Sequence, residues 1–242
     1  MTARALSPPP GTFVATRDAA HRLAVYVISP ARRRATGRIG LRASPGGFTT
    51  PSFGDGERVR LEIDRLVRER GGESAWAPVT TLTDAAAFVL DGPPDAEWAE
   101  GFDVPPLGDP DAPLPIDPSA GALLGAWYAF AFDLLGTLRE ELAADDPGEI
   151  QLWPEHFDAA FDAAPGRGGG GRITFGASPG DATSDEPYLY VLPPGPVERD
   201  EVWNAEGFTG AVLALSDFVD AADQRAAALG FLRSRRSAIP PS

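Results

Sequence analysis

The feature that most constrains the fold of this chain is a phrase that occurs twice, GRIGLRASPGG at residues 37–47 and GRITFGASPGD at residues 171–181. Shorter matching words surround both copies: HRLAVYV and HFDAAFD before them, VTTLTD and VLALSD after them. The offsets are 135, 134 and 133 residues, counted from His21 to His156, from Arg38 to Arg172 and from Val79 to Val212. Offsets that drift by single residues are typical of a tandem duplication, so the sequence predicts two related structural units.

Each copy contains short apolar or alternating segments separated by turn residues, and this pattern predicts β-strands. The predicted strands are Leu23 to Ile28, Arg38 to Ala43, Arg58 to Leu66 and Trp76 to Leu82 in the first copy, and Phe157 to Ala163, Ile173 to Ala177, Tyr188 to Leu192 and Phe208 to Leu215 in the second. Thr83 and Ser216 then offer hydroxyl groups that cap a following helix. We therefore expect an α+β fold: two pseudo-repeated antiparallel β-rich units, each ending in a helix, packed with a central amphipathic helix.

The words Ser44-Pro45-Gly46 and Ser178-Pro179-Gly180 are predicted to be turns that end a strand. Proline presets the backbone of the second position of a tight turn, and glycine accepts the positive φ that follows. A phosphate-binding loop is the alternative, but neither copy has the glycine spacing of such loops.

The composition between and around the copies predicts the domain organisation. Residues 91–118 are rich in Pro and acids, and Asp117-Pro118 places a capping carboxylate before a first-turn proline. The predicted parts are a disordered lead (1–15), β-rich unit 1 (16–90), a connector (91–118), a central helix (119–143) and β-rich unit 2 with a C-terminal helix (150–236). We expect these parts to form one compact domain.

Composition excludes several classes of chemistry. The chain has no Cys, hence no Cys-based metal site, and all 21 basic residues are Arg, hence no lysine-bound pyridoxal cofactor. The net charge of −14 argues against nucleic-acid and anionic-membrane partners. The run of Arg32, Arg33 and Arg34 is interpreted as a solvated hairpin turn. No secretory signal is visible at the N-terminus, so we expect a cytoplasmic protein.

Four stretches carry a resemblance to a known family: GFTTPSFGDGERVRLEIDRLVRE, IDPSAGALLGAWYAFAFDLLGTLREEL, LWPEHFDAAF and EPYLYVLPPG. In this order they resemble a largely actinobacterial family of bacterial proteins known as a domain of unknown function. The resemblance extends from about His21 to the C-terminal helix. It implies no activity, substrate or catalytic residue.

The densest group of chemically active side chains is Glu155, His156 and Asp158, with Asp181 after the next predicted strand. In a strand through Phe157, His156 and Asp158 would share one face. His156, Asp158 and Asp181 could then ligate a divalent cation, or His156 could act as a general base beside Glu155 and Asp158. The alternative is that these residues are the solvated start of a core strand, because neither His has a recognised ligand spacing.

Aromatic residues predict a second kind of site. Tyr188 and Tyr190 share one face of a strand and, with Trp153 and Trp203, could line a groove for a small molecule. Ordinary core packing is the alternative for all four. The sequence therefore favours a noncatalytic small-ligand-binding or interaction protein and keeps a metal-assisted or acid–base enzyme as the alternative. It does not determine the ligand, the cofactor or the oligomeric state.

Overall fold

The computed structural model describes residues 5–166 and 170–239. Within this part the helices are α1 (Phe13–Leu23), α2 (Ser29–Thr36), α3 (Leu82–Leu90), α4 (Pro118–Glu141) and α5 (Gln224–Ser237), and a π-helical segment, Ala24–Ile28, joins α1 to α2. The strands are β1 (Arg42–Ser44), β2 (Gly47–Thr49), β3 (Arg58–Glu62), β4 (Arg65–Arg70), β5 (Glu73–Pro78), β6 (Gln151–Trp153), β7 (Asp158–Ala163), β8 (Ile173–Ser178), β9 (Tyr188–Leu192) and β10 (Ala211–Ala214).

The chain is an α+β protein with two five-stranded antiparallel sheets, and in each sheet the strands follow one another in sequence order, β1 to β5 and β6 to β10. It divides into two compact units. The N-terminal unit comprises residues 9–129 and 152–157, and the C-terminal unit comprises the described residues of 5–8, 130–151 and 158–239. The expected single compact domain is thus two units, with boundaries that differ from the predicted ones.

The repeated Ser-Pro-Gly words end strands as predicted. Ser44 is the last residue of β1 and Ser178 the last residue of β8. Gly46 and Gly180 both have positive φ, +78° and +101°. The two copies nevertheless occupy different places, because β1 is the first strand of its sheet and β8 is the third of the other.

The residue-by-residue equivalence of the two copies is wrong at the following strand. Val212 to Ala214 lie in β10, whereas residues 79–81 have no regular structure and Leu82 begins α3. Thr81, not Thr83, caps α3 by accepting a hydrogen bond from the Asp84 N–H. Ser216 lies in a short 3₁₀ turn, and α5 begins after Asp223, whose carboxylate accepts the Ala226 N–H.

The predicted strand Leu23 to Ile28 is wrong, because this segment is helical and buried. A short apolar run cannot distinguish a buried strand from a buried helix. Pro30 has no N–H to donate to the carbonyls of the preceding turn. The Val25 carbonyl accepts instead from Trp98 Nε1 at 2.9 Å, and the Tyr26 carbonyl from the Asp95 N–H at 3.0 Å. These two bonds let a proline lie within a continuous helical stretch.

The arginine run does not form a hairpin turn. Arg32, Arg33 and Arg34 lie in α2, which ends at Gly37 with φ +72°. Arg32 is buried and donates to the Gly40 carbonyl, and Arg34 forms an ion pair with Asp95 at 3.0 Å. Two of the three cations therefore have partners within the same unit.

The expected disordered lead and extended connector both pack more than predicted. Leu6 is buried, and its backbone N–H and carbonyl bond the side chain of Gln224 at 2.8 and 2.9 Å. Residues 1–4 lie outside the described part. In the connector, Trp98 and Leu114 are buried, although its only regular structure is a 3₁₀ turn, Glu97–Ala99. Isolated apolar side chains are enough to fix a Pro-rich segment against a neighbouring helix.

Helix α4 begins where the sequence predicts. The Asp117 carboxylate accepts the N–H groups of Ser119 and Ala120 at 3.0 Å each, and Pro118 is the first helical residue. Among the described residues this is the one helix long and apolar enough to cross a membrane. The most apolar 18-residue stretch of α4 is 61% buried within the protein, as in a helix that belongs to a protein core.

Candidate functional site

The segment between β9 and β10, residues 193–210, folds back on itself and forms a cavity within the C-terminal unit. The Asp200 carboxylate accepts the N–H groups of Val202 and Trp203 at 2.8 and 2.7 Å. The Ala205 N–H donates to the Gly210 carbonyl at 3.0 Å and closes the segment at its base. Loops of this length are uncommon in compact proteins unless they bind something or connect domains.

The cavity has a volume of about 440 Å³ and combines apolar and charged walls. Its lining residues are Val197, Arg199, Trp203, Ala205, Glu206, Gly207, Phe208, Thr209 and Gly210. Only 8% of the Trp203 surface is exposed. Arg199 and Glu206 form an ion pair at 2.6 Å, and both side chains are open to solvent. An aromatic wall beside a charged rim is the usual composition of a small-molecule site.

Asn204 holds the cavity segment against β10. Its side chain accepts the Val212 N–H at 2.9 Å and donates to the Val212 carbonyl at 3.2 Å. Because it engages both backbone groups of one residue, the asparagine imitates a neighbouring strand. The position of Trp203, one residue earlier, is therefore tied to the sheet.

The predicted aromatic groove is only partly assembled. Trp203 lines the cavity, and the Tyr190 ring centroid lies 6.5 Å from that of the lining residue Phe208. Tyr188 lies 6.2 Å from Tyr190, centroid to centroid. Trp153 belongs to the N-terminal unit and is not among the lining residues. Of the four predicted aromatic residues, one borders the cavity directly.

The hydroxyl groups of both tyrosines are occupied by carboxylates. Tyr190 donates to Asp158, and Tyr188 donates to Asp181 at 2.6 Å. Burial raises the pKa of each tyrosine, and the neighbouring carboxylate raises it further because it disfavours a second negative charge. Both residues therefore stay neutral donors at physiological pH.

Gly176 lets the Tyr190 ring lie flat on the sheet. Gly176 is the direct partner of Tyr190 in the β8–β9 register, and a Cβ atom built at this position would meet the ring at 2.1 Å. No L side chain fits beneath the ring. The glycine thus fixes how Tyr190 reaches Asp158.

Asp181 is the centre of a loop network. Besides Tyr188 it accepts the N–H and hydroxyl of Thr183, at 2.7 and 2.6 Å, and the N–H of Ser184 at 3.2 Å. Burial acts to raise the pKa of Asp181, but these hydrogen bonds outweigh it and the pKa is lowered. The carboxylate is ionised, and the protein already supplies its hydrogen-bond donors.

The other half of the predicted cluster lies in a turn of the N-terminal unit. Phe157 is not in a strand: it has φ +56° and donates its N–H to the Trp153 carbonyl at 2.7 Å. His156 is exposed, whereas Glu155 is 8% exposed and its Oε2 has no hydrogen-bond partner among the described residues. The expectation that His156 and Asp158 share one face of a strand is therefore wrong.

His21, not His156, is the buried histidine of this turn. Its ring stacks on Phe157 at 4.7 Å with an interplanar angle of 6°, and its Nε2–H donates to the Pro154 carbonyl at 2.9 Å. Burial lowers the pKa of His21 to about 4, although the Pro154 carbonyl opposes the shift. The imidazole is neutral at physiological pH.

The predicted metal ligands do not form a metal centre. In the part of the chain that the structure describes, no three His, Asp or Glu side chains come together in a group that could hold a metal ion. Asp158 and Asp181 each accept a hydrogen bond from a tyrosine, and His156 lies in the turn of residues 154–157. Their role in catalysis stays a prediction.

Sequence reasoning missed most of the cavity. Arg199, Glu206 and Thr209 stand in no motif, and Phe208 was assigned to a strand that begins only at Ala211. The available signal is the long segment between two predicted strands, residues 193–207, with Gly195 and Gly207 in it. Comparison of the chain with protein-family models, curated proteins and solved structures finds no match.

Proposed function

We propose that this protein binds a small molecule without transforming it, in the cavity of residues 197–210. The observation that carries the proposal is the Trp203 and Phe208 wall beside the Arg199–Glu206 ion pair. A volume of about 440 Å³ lies within the range of roughly 300–1,000 Å³ that is usual for small-molecule sites. An apolar wall favours a planar ligand, and the paired charges favour one that carries polar groups at its edge.

The acid–base alternative has less support. Asp158 and Asp181 accept hydrogen bonds from tyrosines whose pKa values are raised, so neither carboxylate is poised to take a proton from a substrate. Glu155 is buried with an unpartnered Oε2, but within the described part of the chain it belongs to no group of three His, Asp or Glu side chains. The binding function is therefore the one that we propose.

Protein-observed NMR during titration with a set of planar aromatic acids, amines and amides tests the proposal, together with native mass spectrometry of the freshly purified protein. We expect at least one compound to shift the backbone resonances of Thr209 and Gly210. Binding should be lost in Trp203→Ala and weakened in Arg199→Gln. Arg233→Gln is the matched control, because Arg233 is also an exposed, ion-paired arginine of the C-terminal unit but lies outside the cavity. Binding that survives Trp203→Ala would disprove the assignment.

We also propose that the two sheets descend from one duplicated unit. The support is coarse: both are five-stranded antiparallel meanders of consecutive strands, each followed by a helix. An experimental structure tests this by superposition of β1 to α3 on β6 to α5. A superposition that cannot align the strands in sequence order would refute the common origin.

A further inference from the structure

Strand β5 forms one edge of the first sheet and is unusually open. It pairs only with β4, and five of its six residues are exposed to solvent. Trp76, in the middle of the strand, is 64% exposed, and Arg65 lies over its ring at 5.8 Å. A large exposed aromatic side chain on an edge strand is a feature of protein interfaces.

The backbone of β5 presents a row of groups that point away from β4. The Val79 N–H donates to the Asp64 carbonyl at 3.0 Å, and hydrogen-bonded pairs alternate along an antiparallel ladder. In this register, Ser74, Trp76 and Pro78 direct their backbone groups outward. Within residues 5–166 and 170–239, no hydrogen bond reaches the backbone of Ser74 or Trp76.

Two other sheet edges are bonded in part by the protein itself. On β10, the outward groups of Val212 are bonded by the Asn204 side chain, and the Ala214 N–H donates to Asp217 at 3.0 Å. Beside β1, Leu41 exchanges two backbone bonds with Leu152, at 2.8 and 2.9 Å. Such covering is how natural sheets avoid pairing with other chains. It is missing at β5.

We propose that β5 pairs antiparallel with β5 of a second copy of this chain, with the twofold axis at Ala75. In this register Ser74 lies opposite Trp76 of the second copy, and Trp76 lies opposite the second copy's Ser74. Both are outward-facing residues, so each pair exchanges both of its N–H···O bonds. The β1–β5 sheets of the two copies then form one continuous ten-stranded sheet across the axis.

Neighbouring registers leave an outward backbone group of Ser74 or Trp76 without a partner. An axis at Trp76 would place Ser74 opposite Pro78, which has no N–H. An axis at Ser74 would require Gly72 in the ladder, but Gly72 has φ +84° and belongs to the turn before β5. The register centred on Ala75 is the one that gives a partner to both the N–H and the carbonyl of Ser74 and of Trp76.

The side chains are self-complementary in the same register, which is why a second copy is the occupant that fits. The bulky Trp76 would lie beside the small Ser74 of the other chain, and the two Trp76 rings would be diagonal neighbours within contact range. On the opposite face, Ala75 would face its own copy and Glu73 would face Ala77. No like charges are placed opposite one another.

Light scattering coupled to size exclusion tests the proposal on the full chain. We expect the wild-type mass to rise with concentration from 25.5 kDa toward twice that value. Ser74→Pro removes one outward N–H, at an edge position where proline is tolerated. It should weaken association about tenfold or more, because symmetry removes the same bond twice. Ser74→Ala is the matched control, since it keeps the N–H and should associate like the wild type.

Amide hydrogen exchange supplies a second readout that needs no variant. Exchange at Ser74 and Trp76 should slow as the protein concentration rises, while exchange at other exposed amides should not change. A wild-type mass of 25.5 kDa at every concentration up to about 1 mM would overturn the proposal and leave β5 to a different partner. Equal association of Ser74→Pro and Ser74→Ala would overturn it too. If Ser74→Pro fails to fold, the exchange measurement alone decides.

Discussion

The buried histidine of the N-terminal unit makes stability depend on pH in a way that can be calculated. His21 has a folded pKa of about 4, against an ordinary value of 6.5, mainly because burial disfavours the imidazolium. The unfolded chain therefore takes up the proton first as the pH falls. The contribution of neutral His21 is complete above pH 6.5 and is lost between pH 6.5 and about 4.

The magnitude follows from the size of the shift. Each pKa unit is worth about 1.4 kcal/mol, so a shift from 6.5 to about 4 corresponds to a total loss of roughly 3 kcal/mol of unfolding free energy. At pH 5 the loss is about 2 kcal/mol, because the unfolded imidazole is then almost fully protonated and the folded one is not. This is a large fraction of the stability of an ordinary domain.

The assay compares two variants that differ only at this position. His156→Gln leaves His21 as the single histidine of the chain. The double variant His21→Gln, His156→Gln keeps an amide N–H near the Pro154 carbonyl but cannot titrate in this range. Urea unfolding between pH 7.5 and 5 should show the single variant losing about 2 kcal/mol more than the double variant. The carboxylates titrate in the same way in both variants. The difference between the two losses of unfolding free energy therefore reports the titration of His21 alone.

Two results would refute the reasoning. One is an imidazole resonance of His21 that titrates near pH 6.5 in the folded single variant, followed by NMR. The other is a parallel loss of stability in the single and double variants. Either would mean that the stacking on Phe157 and the bond to Pro154 do not keep the ring from solvent.

Three further predictions concern contacts that fix the fold, all measured by urea unfolding at pH 7.5. Gly176→Ala should cost about 1–3 kcal/mol, because the added methyl displaces the Tyr190 ring; an unchanged midpoint would contradict the close approach. Trp98→Phe should cost about 1 kcal/mol by removing the donor to the Val25 carbonyl, and a cost near zero would mean that water replaces it. Asp117→Ala should cost about 0.5–2 kcal/mol by freeing the first amides of α4, whereas Asp117→Asn should cost less if capping is the cause.

Local patterns in the sequence were sufficient for several elements. The alternating aromatic residues of Tyr188–Leu192 form β9 with the predicted bounds, and the Ser-Pro-Gly words end β1 and β8. Asp117-Pro118 begins α4. In each case the residues that decide the structure are neighbours in the chain, because turns and caps are made by groups a few residues apart.

Where distant groups decide the structure, local patterns misled. The apolar run Ala24–Ile28 is helical because Trp98 and Asp95 satisfy carbonyls that Pro30 leaves without donors, across a sequence separation of 73 residues for Trp98. The carboxylates of the predicted metal site are held by tyrosines of another strand. The cavity depends on bonds over shorter separations, between the Asp200 carboxylate and the Trp203 N–H and between Asn204 and Val212, in a segment without a recognised motif. Hydrogen bonds between residues far apart in sequence have no periodic signature, so only the tertiary structure reveals them.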